Sequence, residues 1–293
     1  MACLKQQQFI LELKIMYSTK KLHINQTGRD FVVGDIHGAF DLVLRAMDEI
    51  NFDPARDRLF SVGDLIDRGP ESHRCAKFLA QPYVHAVRGN HEDMLIELYA
   101  DGEPPQEVLD WMAARNGLGW WNDASPEIRQ DVLDSIRRLP LAIEVATSRG
   151  SVGLVHADIP AGMDWDGFLS AIEAGEKGVI ETALWGRDRI HAGNTSGVPG
   201  VGRIFVGHTP QWGGLRRFGN VYAIDTGAIF GMLDIRNDGR LTLVNVLAQT
   251  EELTLPKPAS LIDVRNQDAA PGSPFGSYVL LEYLGQQASH SRG

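Results

Sequence analysis

Cysteine is nearly absent from this chain, and its scarcity excludes two structural classes. Among 293 residues only Cys3 and Cys75 are cysteines, and Cys3 stands in an N-terminal stretch without a regular pattern. A disulfide scaffold needs more than this, and so does a thiolate zinc site, so a reducing, cytoplasmic setting is expected. An excess of positive charge is missing as well. With a net charge of −10 the chain offers no basic face to nucleic acid, and any clustered arginine becomes more informative. Long apolar runs are lacking too. Phe9 to Met16 is apolar, but Glu12 and Lys14 interrupt it. It is too short to span a bilayer and has no small-residue cleavage site behind an uncharged core, so neither a membrane partner nor a secretory signal is expected. No internal repeat of fixed period occurs.

What is present fits a soluble globular α/β protein: 43% hydrophobic and 23% charged residues, in a length that buries one large core. The expected division is an N-terminal extension over 1–29, one domain over 30–250 and a mostly disordered tail over 251–293, where Pro, Ser, Gly and Gln accumulate. A short apolar element is expected in that tail at Tyr278 to Leu284. Met1 and Met16 are both candidate starts.

From Phe31 the pattern is regular. Strands Phe31 to Gly34, Leu59 to Val62 and Val84 to Val87 alternate with helical patterns at Phe40 to Ile50, Ser72 to Leu79 and Glu92 to Tyr99. This βαβαβ order predicts parallel pairing. A helical stretch from Pro105 to Arg138, broken at Asn116-Gly117-Leu118-Gly119, should cover one rim of the sheet. Its Trp111, Trp120 and Trp121 read as packing residues rather than a base-stacking platform. Beyond Pro140 the expected strands are Leu141 to Ala146, Ser151 to Val155, Arg203 to Val206, Val221 to Ile224, Gly231 to Ile235 and Leu241 to Leu247, a second, largely antiparallel sheet. Helices at Trp165 to Ala174 and Val179 to Trp185 interrupt them.

The strand ends carry the chemistry. Asp35 and His37 follow the first strand, Asp64, Asp67 and Arg68 the second, Asn90 and His91 the third, and His156 and His208 close two later strands. Carboxyl ends of strands are where α/β sheets bind ligands, and Gly63 and Gly69 let the central turn approach an ion or a phosphate closely. Asp35, His37, Asp64, Asn90, His156 and His208 form a mixed oxygen and nitrogen set suited to two divalent ions, Mn²⁺ foremost with Fe or Zn²⁺ as alternatives, and unsuited to Ca²⁺. Asp64 has two oxygens with which to bridge them. Two such ions lower the pKa of a shared water to hydroxide and clamp the oxygens of an in-line displacement, which makes a phosphoester the natural target. Arg68 and Arg187 are the candidate phosphate ligands. Arg88 is a third candidate, or else a support of its turn. His91, oriented by Asp67, can give its proton to the leaving alkoxide.

These residues resemble a known family. Gly34-Asp35-Ile36-His37-Gly38, Gly63-Asp64-Leu65-Ile66-Asp67-Arg68-Gly69 and Arg88-Gly89-Asn90-His91-Glu92 are similar to the three signature blocks of the phosphoprotein phosphatase family of metallophosphoesterases. His156-Ala157-Asp158, Trp185-Gly186-Arg187, Gly207-His208-Thr209-Pro210 and Asp225-Thr226-Gly227 resemble later blocks of its bacterial and lambda-phage-type branch. The resemblance spans Phe31 to Ala248. It implies a β-sandwich of two mixed sheets flanked by helices, and Mn²⁺-dependent hydrolysis of phosphoserine and phosphothreonine in proteins, often of phosphotyrosine and aryl phosphates too. It further implies one metal on Asp35, His37 and Asp64, another on Asp64, Asn90, His156 and His208, His91 with Asp67 as proton donor, and phosphate on Arg68 and Arg187. Ala157-Asp158 replaces the Gly-Gly pair of eukaryotic members, so their regulatory partners are not expected. Symmetrical diadenosine tetraphosphate hydrolases share the ligands but usually carry Asp where this chain has Glu92, which favours the protein phosphatases over that sister group. A noncatalytic scaffold would have lost ligands, and none is lost.

Overall fold

Short runs of β-branched and aromatic residues, each with two apolar faces, dictate a layered molecule. The computed structural model describes residues 18–248 and the strand at 261–264. Its strands are β1 (Thr19–Leu22), β2 (Asp30–Val33), β3 (Arg58–Ser61), β4 (Val84–Ala86), β5 (Ala142–Thr147), β6 (Gly150–Val155), β7 (Arg203–Val206), β8 (Arg216–Phe218), β9 (Val221–Ala223), β10 (Leu241–Asn245) and β11 (Leu261–Val264). One sheet has the order β11-β10-β2-β3-β4, the other β1-β5-β6-β7-β9-β8. Both are mixed: β2, β3 and β4 run parallel, as do β6, β7 and β9, while β10 and β8 pair antiparallel to their neighbours.

The period of two along each strand sorts side chains into three cores. Val32, Phe60, Ile143, Leu154, Phe205 and Tyr222 point between the sheets and fill the sandwich. Phe31, Val33 and Leu59, one position away, face helices Phe40–Glu49, Asn90–Leu98 and Pro126–Ile136. Ile204, Val206 and Val221 face helices Trp165–Glu173 and Lys177–Trp185 on the opposite side. Helix Phe40–Glu49 buries Phe40, Val43 and Met47 at the spacing that places them on one stripe. Trp121 and Trp165 are fully buried anchors of the two helical layers.

Several expectations are corrected. The segment read as an extension contains β1, which pairs parallel with β5 through Thr19 to Leu22; its two lysines disguised an edge strand, where charge is tolerated. The tail expected from 251 includes β11, antiparallel to β10. The apolar element at Tyr278 to Leu284 lies outside the described residues. Gly231 to Ile235 is not a strand: helix Ala228–Met232 ends inside it and a turn follows, and a short apolar run cannot separate helix from strand by periodicity. Strand β8, with Arg216 and Arg217 exposed, had no apolar pattern to reveal it. The helical stretch after Pro105 resolves into helices Gln106–Asn116, Gly119–Asp123 and Pro126–Ile136, with Gly117 at φ 81° ending the first. Among the described residues no helix is long and apolar enough to cross a membrane.

Candidate metal centre

The β2, β3 and β4 carboxyl ends lie side by side, so the three turns that follow them meet. Backbone geometry there is unusual. Of seven non-glycine residues with positive φ among the described residues, five are His37, Asp64, Asp67, Arg68 and His208. Each such conformation costs on the order of 1–3 kcal/mol, and strain of this kind persists only where the surroundings over-determine it. Gly63 could not be replaced by a larger residue, because a Cβ would come within 2.6 Å of the Gly89 nitrogen.

Glu92 supplies the over-determination. Its Oε2 accepts the N–H groups of Asp64 at 3.0 Å and Gly89 at 2.8 Å, and its Oε1 those of Leu65 at 2.8 Å and Ile66 at 3.2 Å. Four donors thus tie the second turn to the start of helix Asn90–Leu98. Burial and then nearby Asp64 push this carboxyl up, while the Gly89, Leu65 and Ile66 N–H groups that it accepts pull it back down. Sequence reasoning used Glu92 only to separate subfamilies. The signal for its true role was its position three residues after Gly89, where a helix N-terminus favours Glu.

All six expected metal ligands are buried and border one cluster. His156, Asp64 and His208 form one group, and His37, Asp64 and His91 another, with the candidate ligand atoms of each within 4.8 Å of one another. Asp64 is common to both, as a bridging ligand must be. Asp35 enters from the far side, its carboxylate accepting the His208 backbone N–H at 3.0 and 3.2 Å.

The donor set fits divalent cations by the direction of its lone pairs. His156 Nδ1 lies 2.8 Å from the Val62 carbonyl and His37 Nδ1 2.8 Å from that of Ile66. A carbonyl only accepts, so both Nδ1 atoms carry the proton and both Nε2 atoms present lone pairs. His156 Nε2 then lies 2.9 Å from Asn90 Oδ1 and 3.4 Å from Asp64 Oδ1, and His37 Nε2 lies 3.4 Å from Asp64 Oδ2. His208 Nδ1 is 2.9 Å from the same Asn90 oxygen, while its Nε2 is buried without a hydrogen-bond partner. Acceptors that face one another repel unless a cation lies among them. Burial lowers the basicity of His37, His156 and His208, keeping them neutral donors. Burial alone would raise Asp64; the imidazoles of His156, His91 and His37, when protonated, and the Arg68 guanidinium hold its carboxylate below the usual range. Asp35 is pushed up by burial, then by Asp225 and Asp64; burial brings Asp225, a neighbour that sequence reasoning left without a role, to about 6.

The remaining expected residues sort as follows. His91 Nδ1 contacts Asp67 Oδ2 at 2.7 Å. Arg68 reaches into the cluster, one guanidinium nitrogen on His37 Nε2 and the other 2.8 Å from His91 Nε2. Arg187 borders the site through Thr209, to whose Oγ1 it donates at 3.1 Å. Its neighbour Arg189 instead forms a buried pair with Asp158 at 2.7 Å. Arg88 is buried on Asp93 at 3.0 Å and on carbonyls near Leu139, so it supports its turn and holds no phosphate. Trp120, expected to pack in the core or at the substrate rim, also donates its Nε1–H to Asp67 Oδ1 at 2.9 Å; nothing local in the sequence signals this.

Comparison with known proteins agrees with this geometry. The calcineurin-like phosphoesterase family model matches residues 31–225. Serine/threonine-protein phosphatase 1 of Salmonella typhimurium is 37% identical over 222 residues, covering 74% of this chain and 91% of that protein. Serine/threonine-protein phosphatase 2 of Escherichia coli is 30% identical, over 78% of this chain and 97% of its own. The symmetrical bis(5'-nucleosyl)-tetraphosphatase of Actinobacillus succinogenes is 33% identical over 46% of each chain. A serine/threonine phosphatase structure from Saccharomyces cerevisiae superposes with a TM-score of 0.56 at 18% identity, over 92% of this chain and 90% of that one, and shares the fold. The chain therefore belongs to the calcineurin-like metallophosphoesterases, in the phosphoprotein phosphatase family with the bacterial serine/threonine phosphatases.

Proposed function

We propose that this phosphoesterase removes phosphate from phosphoserine and phosphothreonine in proteins, and from phosphotyrosine as well. The observation that carries the reading is the His91–Asp67 pair at 2.7 Å, pointed at the cluster that Asp64 and Arg68 share. Serine alkoxide is a poor leaving group, and an enzyme that expels it needs a proton donor.

Asp35, His37 and Asp64 would hold one divalent ion and Asp64, Asn90, His156 and His208 the other, Mn²⁺ being the best match to this oxygen and nitrogen set, with Fe or Zn²⁺ as alternatives. When bound, the pair supplies Lewis-acid charge and an activated water for in-line attack on phosphorus. The protein does the rest. Arg68 and Arg187 grip the phosphoryl oxygens, Arg68 exchanging its present imidazole contacts for the substrate. Asp67 accepts the His91 Nδ1–H, fixes the ring and stabilises the imidazolium, whose Nε2–H is then donated to the departing oxygen. Glu92 holds the turn bearing Asp64 rigid throughout.

The tetraphosphatase relative supports a second reading, symmetrical cleavage of a dinucleoside tetraphosphate. Phosphate release from a phosphoserine peptide with Mn²⁺, measured beside hydrolysis of diadenosine tetraphosphate, separates the two. Faster turnover of the peptide is expected; a dinucleotide rate far above it would overturn the proposal.

A further inference from the structure

A cavity of about 460 Å³ opens beside the candidate site, between helices Gln106–Asn116 and Pro126–Ile136 and the 229–235 segment. Two residues belong to both places. Arg68 lines the cavity with its guanidinium over the Phe230 ring at 5.8 Å, and Trp120 lines it while donating to Asp67. The rest of the lining is mostly apolar, with Ala113, Ile128 and Leu233 among it, and its only ionisable members besides Arg68 are His73 and Asp123.

We infer that this cavity is a substrate subsite that takes large apolar side chains flanking the phosphorylated residue. The inference rests on the protein phosphatase reading and names the peptide class that reading leaves open. Three features carry it. The cavity meets the candidate site through Arg68 and Trp120, which contact His91 and Asp67, the pair assigned to the leaving group. Its volume falls in the range of ligand-binding clefts and exceeds what a single phenol ring fills, so one or two neighbouring side chains of a peptide match it. Its charge does not suit a polyphosphate chain: the one arginine is the one assigned to the phosphoryl group at the candidate site, and Asp123 would repel a further phosphate.

The test uses the full chain with Mn²⁺ and two phosphoserine peptides identical except that Leu and Phe in one replace Asp in the other beside the phosphoserine. Capped single-residue phosphoserine serves as the flank-free control. The expected result is at least about a ten-fold advantage in kcat/KM for the apolar peptide. Ala113→Arg, at a helical position that tolerates arginine, and independently Leu233→Asp should remove most of that advantage through KM while leaving the capped phosphoserine rate unchanged. Equal kcat/KM for the two peptides overturns the inference, as does an equal effect of the variants on the capped control. A phosphotyrosine peptide preferred regardless of its flanks also overturns it, since the ring would then be the occupant. Failure of the underlying phosphatase reading looks different: neither peptide is hydrolysed while diadenosine tetraphosphate is.

Discussion

Trp120 and Asp67 are joined across fifty-three positions of sequence: the indole N–H donates to Asp67 Oδ1 at 2.9 Å, while Oδ2 of the same carboxylate accepts the His91 Nδ1–H at 2.7 Å. Asp67 is therefore held from both sides, and the histidine inherits its orientation. Hydrogen bonds to a charged group are worth roughly 1.5–3 kcal/mol. Trp120→Phe should lower kcat about ten-fold on alkyl phosphates and much less on aryl phosphates, whose leaving groups need no proton. Steady-state kinetics on both ester types would check this; equal losses would deny Trp120 a positioning role.

His91→Asn should spare metal binding and slow turnover of phosphoserine by roughly 10²–10⁴-fold. Metal content by plasma emission spectrometry, measured beside kcat, separates the two effects. Full activity on an alkyl phosphate would remove His91 from the proton-donor role.

Asp64 borders both groups of candidate ligands. Asp64→Asn should abolish detectable turnover and weaken retention of Mn²⁺, read by calorimetric titration. In the wild-type protein, chelation should lower Tm, since an ion bound only by the folded state stabilises it by mass action.

Glu92 accepts four backbone N–H groups with two oxygens. Glu92→Gln turns an amide NH₂ toward two of those donors, and urea unfolding should show a loss of about 3 kcal/mol. An unchanged midpoint would mean that the strained turn is held by other contacts.

His85 gives a pH signature remote from the metal cluster. Burial, then Lys20 and Arg58, lower it from 6.5 to about 4, and its Nδ1 lies 3.4 Å from the Lys20 ammonium. The folded state thus disfavours the proton that the unfolded chain accepts. Stability from this group is complete above about pH 6.5 and is lost as pH falls toward 4. His85→Gln should flatten the fall of urea midpoints between those pH values relative to wild type. Parallel curves for the two proteins would contradict the assignment.

Much of the site was legible because it is local. Each candidate ligand sits at the end of an apolar strand, and all but His156 stand beside a glycine that marks a sharp turn, so residue type and position suffice to nominate Asp35, His37, Asp64, Asn90, His156 and His208. Arg88 illustrates the limit: the same pattern nominated it, yet Asp93 and neighbouring carbonyls claim it. Strand β1 and helix Ala228–Met232 were misread for a related reason. Edge pairing rescues a lysine-rich strand, and tertiary packing decides whether a five-residue apolar run coils or extends.

From its residues the chain determined the alternation of strands and helices from Phe31 to Tyr99, the candidate ligands and the family to which it belongs, because periodicity and turn chemistry act over a few neighbouring positions. The tertiary structure decided which atoms meet. Asp35 receives the His208 N–H from 173 positions away, Trp120 reaches Asp67 because the Arg68 N–H donates to the Gly117 carbonyl at 2.9 Å, and the apolar cavity exists only where three distant segments close on Arg68. Such contacts depend on the direction of lone pairs and on close approach between separate elements, and neither quantity is carried by spacing along the chain.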